Sequence, residues 1–141
     1  AARLASDTDL RVVQTVFTKM EAAHTKRSPK TDAELDAEFH MAIIEASHNV
    51  VMLHMMRSMF QLLQEGVFYN RQVMFKQRTT RGALLDQHRA INAALQARDG
   101  EAARAAVIAH LDYVEKSLAD QQKADRNEAI ARQRFEHEQS R

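Results

Sequence analysis

Asp36-Ala37-Glu38-Phe39-His40 sets a carboxylate and an imidazole four residues apart. On a helix those two side chains lie one above the other on the same face, so an oxygen and a ring nitrogen can converge on one cation. Phe39 then points to a neighbouring face, where it can pack. The surrounding pattern is helical: Leu35, Phe39, Ala42, Ile43 and Ala46 recur at helical spacing, with Asp36, His40 and Ile44 beside that stripe. A charge next to an apolar stripe either reaches solvent or has a buried partner.

Two later histidines sit inside such stripes. Leu84, His88, Ile91 and Leu95 step by four, three and four, so His88 replaces a core residue. Ala103, Val107, His110, Val114 and Leu118 repeat the rhythm with His110 in a core slot. One Asp and three His therefore face a common interior from three helices. Side chains on facing helices of an antiparallel bundle build metal sites in this way.

The rest of the chain agrees with a helical bundle. Of 141 residues only three are Gly and one is Pro, while Ala, Leu, Met, Gln, Glu and Arg abound. Hydrophobic residues make up 45%, enough for a real core in one domain. There is no Cys, which excludes disulfides and thiolate ligands. A net charge of +1 leaves no electrostatic footprint for nucleic acid. No apolar run approaches the ~18 residues that span a bilayer. Ala1-Ala2-Arg3-Leu4-Ala5 reads as the end of a helix begun upstream, as in a piece of a longer protein.

Six helices are expected. Ser6 caps a helix carrying Leu10, Val13, Phe17 and Met20, with His24 near its end. Thr31-Asp32-Ala33-Glu34 has the capping-box form, which starts the next helix at about Asp32 and runs it to Ser47. Asn49 caps one long helix from Val50 to about Met74, rich in Met and apolar on several sides. Such a helix should be largely buried, with a face for a second subunit. Gln77-Arg78-Thr79-Thr80 is the next connection, a helix from Thr80 to Arg98 follows, and Asp99-Gly100-Glu101 caps the last. Residues 1–120 form the domain. Residues 121–141 are polar, a solvated helical extension or a disordered tail.

Three imidazoles and a carboxylate suit zinc or nickel first, with iron or manganese as alternatives. Four ligands from one side of a bundle leave a position open, where a small carboxylate can bind and a 2-hydroxy acid can chelate. Arg71 and Arg81 are the candidate anion clamps and Asn49 a further candidate effector contact. A di-iron site needs two Glu-x-x-His motifs, and only Glu45-Ala46-Ser47-His48 has that form. No HExxH, phosphate loop or nucleophile elbow occurs. A mononuclear metalloenzyme acting on a small carboxylate is the alternative function.

Asp36-x-x-Phe39-His40, Ala46-Ser47-His48-Asn49, Gln87-His88-Arg89-Ala90-Ile91 and Ala109-His110-Leu111, with His88 48 residues after His40 and His110 22 after His88, resemble the effector-binding domain of the FadR group of GntR transcriptional regulators. The resemblance reaches to about Leu118. It implies an all-α antiparallel bundle with a central metal and effector cavity, and Asp36, His40, His88 and His110 as the metal ligands. It implies a winged-helix DNA-binding domain upstream, a first helix that begins before this sequence, a homodimer, a cytoplasmic location and no membrane contact. His48 to His54, Arg57 and Asn70-Arg71-Gln72 look closest to regulators of lactate, pyruvate and glycolate metabolism. Lactate is the first expectation for the effector, and no enzymatic activity is implied.

Overall fold

The structure, a computed structural model, describes residues 1–74 and 80–141, without the side chain of Leu63. The expected connection at Gln77, Arg78 and Thr79 lies outside the described residues. Among the described residues there are six α-helices and no strand. They are α1 (Asp7–Ala23), α2 (Pro29–Ala46), α3 (Val50–Ser58), α4 (Phe60–Met74), α5 (Thr80–Gln96) and α6 (Gly100–Gln139), with a 3-10 turn at His24–Lys26. None is long and apolar enough to cross a membrane.

The caps explain most of the boundaries. Ser6 and Asp9 cap α1 reciprocally: Asp9 N–H donates to Ser6 Oγ at 3.0 Å and Ser6 N–H to Asp9 Oδ2 at 2.8 Å. Asn49 and Asp99 cap α3 and α6 through the amides of Met52 and Ala102. Residues 1–5 form a hydrogen-bonded turn, with Leu4 and Ala5 N–H on the Ala1 carbonyl. The expected cap at Thr31 is wrong. Ser28 caps α2 and Pro29 is its first residue, so Thr31 is already inside the helix. Pro lacks the N–H that a first turn leaves unpaired anyway, and it holds Ser28 extended at φ −98°, ψ 109°.

Contacts between helices give the directions. Phe17 meets Phe39 and Asp9 meets His48, so α1 and α2 are antiparallel. Asn92 donates to Gln14, and Gln96 donates to the Leu10 carbonyl, so α1 and α5 are antiparallel as well. α2 and α5 run the same way, with Asp32 on Arg81 and Asp36 beside His88. The core fills the space between these three helices: Leu10, Val13, Phe17 and Met20 from α1, Phe39 and Ala42 from α2, Ile91 and Leu95 from α5, closed by Ala103 of α6.

The expected single helix over Val50–Met74 is interrupted at Met59, where φ is −106° and ψ 10°. Arg57 reaches Glu45 and Arg71 reaches Asp36. A straight helix would set those arginines about 21 Å apart, whereas their partners are separated by about 13.5 Å along α2. The two contacts fall on either side of the interruption. Nor is the segment largely buried. α3 has no buried residue, and Val51, Met55 and Leu62 are each more than half exposed. Residues 121–139 continue α6 as a solvated helix, the first of the two readings of that tail.

Candidate metal and effector site

α2, α5 and α6 bring His40, His88 and His110 together, with their ligating nitrogens all within 4.8 Å of one another. The rings of His88 and His110 are 4.5 Å apart at their centroids, and His40 stacks on His110 at 5.5 Å. Asp36, one turn before His40, closes the group. Its Oδ1 lies 3.0 Å from His40 Nε2 and 3.2 Å from His88 Nε2. Its Oδ2 accepts a hydrogen bond from Arg71 Nε at 2.9 Å. Phe39 stands edge-on to His88 at 5.2 Å and packs on Phe17, which fixes the ring from the core side.

His88 is the decisive residue. It is 0% exposed, and neither ring nitrogen has a hydrogen-bond partner. Nε2 approaches Asp36 Oδ1 to 3.2 Å, but not along a direction that makes a hydrogen bond. A buried polar atom without a partner costs about 1–3 kcal/mol, so an unsatisfied imidazole in a close-packed core calls for an explanation. An ion held between three imidazoles and a carboxylate supplies one, and this donor set fits a borderline divalent metal.

The electrostatics suit ligation. Burial pushes the Asp36 carboxyl up, but the close His40 and His88 imidazoles and the charge of Arg71 outweigh it and hold the group well below the usual carboxylate range. Burial, then the like charges of His88 and His40, push His110 down to about 3, so its ring is neutral. Gln87 Oε1 lies 2.8 Å from His110 Nδ1. Accepting from that nitrogen, the amide oxygen holds the proton on Nδ1 and leaves Nε2 as a lone pair for a cation.

A cavity of about 280 Å³ opens beside this group, lined among others by Asp36, His40, His110, Arg71 and Asn70. Arg71 is 9% exposed, and only its Nε is engaged. Its two terminal nitrogens have no hydrogen-bond partner among the described residues, which leaves a forked donor for a carboxylate. The other expected effector contacts are elsewhere. Arg81 binds Asp32 through two nitrogens, at 2.7 and 3.2 Å, and does not line this cavity. Asn49 spends its side-chain oxygen on the Met52 amide at the start of α3. Asn70 and Gln87 escaped the sequence reading as site residues. Asn70 directly precedes Arg71 and Gln87 directly precedes His88, but adjacency to a charged or ligating residue is too common to single out either.

Residues 1–113 match the family described as the FCD domain. Over 118 residues the chain is 36% identical to an Escherichia coli (strain K12) protein named "Putative L-lactate dehydrogenase operon regulatory protein", covering 84% of this chain and 44% of that one. It is 32% identical over 124 residues to the HTH-type transcriptional regulator LutR of Bacillus subtilis (strain 168), covering 84% and 54%. It is 30% identical over 123 residues to the Glc operon transcriptional activator of Escherichia coli (strain K12), covering 85% and 48%. The chain spans about half the length of these relatives. With that match behind an all-helical bundle whose motifs already resembled it, this chain belongs to the FCD-domain family.

Proposed function

We propose that the chain is the sensor domain of a transcription regulator of the FadR group of GntR proteins. It binds a divalent metal through Asp36, His40, His88 and His110, and a small carboxylate at the metal and Arg71. The effector is lactate or a related 2-hydroxy acid, and the metal is zinc or nickel in preference to iron or manganese. Relatives named for lactate and Glc operons support the effector class. That all three are named as regulators supports a sensing role rather than catalysis. DNA is bound by a separate upstream domain, and two copies pair through the exposed apolar face of α3 and α4, in the cytoplasm.

The observation that carries this reading is His88, fully buried with two unpartnered nitrogens beside two other imidazoles and an ionised carboxylate. An effector acts by preferring one arrangement of the helices over another, and its effect on DNA binding is bounded by that difference in affinity. Elemental analysis of untagged protein, with calorimetric titration of lactate, glycolate and pyruvate, tests it. We expect about one metal per chain and acid binding that disappears when a chelator strips the metal. Stoichiometric metal and tight acid binding in an H88A/H110A double variant would overturn it.

A further inference from the structure

The cavity beside Arg71 has a charged end and an apolar end. Asp36, His40, His110 and Arg71 make the charged end. Ile44 and Val67 line the same space, and each stands four residues from one of those groups on its own helix: Ile44 after His40, Val67 before Arg71. The segment that carries Arg57 on Glu45 and Arg71 on Asp36 runs antiparallel to α2, so Ile44 and Val67 lie on one side of the charged group. Four residues advance a helix by about 6 Å. That is the reach of a short carbon chain from a carboxylate held at the charged end. Met56 and Leu111 extend the aliphatic wall.

The volume exceeds what a three-carbon acid needs. At about 30 Å³ for each water displaced, lactate fills roughly 100 Å³, against the 280 Å³ present. The remainder is walled largely by aliphatic side chains, where water finds few partners and added carbons gain contact.

We propose that the site prefers 2-hydroxy acids whose side chain is larger than the methyl of lactate, such as ethyl, isopropyl or isobutyl, and that Ile44 and Val67 set this preference. The proposal rests on the cavity being the effector site. It is tested by calorimetry on the metal-loaded full chain with glycolate, lactate, 2-hydroxybutyrate and 2-hydroxyisovalerate. Affinity should rise along the series by roughly tenfold for a well-placed carbon. A V67F variant, which fills the apolar end, should weaken 2-hydroxyisovalerate at least tenfold more than glycolate. Affinity that is flat or greatest for glycolate or lactate in the unmodified chain overturns the size preference while leaving the sensor reading intact. Failure of every acid to bind the metal-loaded chain overturns both. If V67F does not fold, the series on the unmodified chain decides alone.

Discussion

Gln87 shows how one neutral side chain prepares a candidate ion site. His110 is neutral because burial and its neighbours disfavour a second proton. A neutral imidazole has two tautomers, and only one presents Nε2 as a donor atom. The Gln87 oxygen, 2.8 Å from Nδ1, selects it. Outer partners of ligating histidines are typically worth about 10- to 100-fold in metal affinity. Q87L should therefore weaken zinc binding by roughly that factor in a chelator-competition titration, whereas Q87E, which keeps an acceptor, should match or exceed the unmodified chain. Equal affinity in Q87L and the unmodified chain would show that His110 needs no such partner. Asp36 divides its labour in a similar way: Oδ1 faces the imidazoles and Oδ2 faces Arg71, so in the proposed function one carboxylate serves both the metal and the effector's clamp.

At the scale of elements, the helix starts were the most legible feature. Ser6, Asn49 and Asp99 each act as the sequence suggests, because a short polar side chain before an apolar stripe has one dominant use. Thr31 misled because Ser28-Pro29 offered a competing start, and a Pro that needs no donor outweighs a capping box. The histidine stripes held, since His88 and His110 take the slots their periodicity assigns. The break at Met59 carried no Pro or Gly to announce it, and its two sides meet α2 at Glu45 and Asp36. Arg71 and Arg81 were indistinguishable in sequence. Only the fold decides that one meets the cavity and the other Asp32.

The start of α1 also has an acid-sensitive tie. The Ser6 backbone amide first, then His48 at 2.6 Å, lower the Asp9 carboxyl to about 2 from an ordinary value of 3.8. The unfolded chain thus binds more protons between those values, so this contribution is present above about pH 4 and fades as the pH falls toward 2. A D9N variant should lose stability less steeply over that interval, read from thermal midpoints at a series of pH values. Identical slopes would place the acid sensitivity elsewhere.

For the molecule as a whole, the unexplained surface is the outward side of α3 and α4. Val50, Val51, Met52, Met55, Leu62 and Tyr69 are all exposed there, more apolar surface than a lone domain ordinarily leaves in water. Pairing of two copies through it predicts a dimer in sedimentation velocity and a monomer for M55E/L62E, with zinc content unchanged because neither residue touches the histidines. A monomeric parent chain would assign that surface to another partner.

The last helix joins two otherwise separate regions. His110 sits in the histidine cluster, and α6 runs on for 29 further residues to Gln139, roughly 44 Å at 1.5 Å per residue. Residues 121–139 lie out in solvent, so little packing restrains that end. Pivoting by about 5° around His110 would swing the far tip by about 4 Å. A small adjustment at the histidine cluster is then read out at arm's length, as the needle of a gauge magnifies the small travel of its spring.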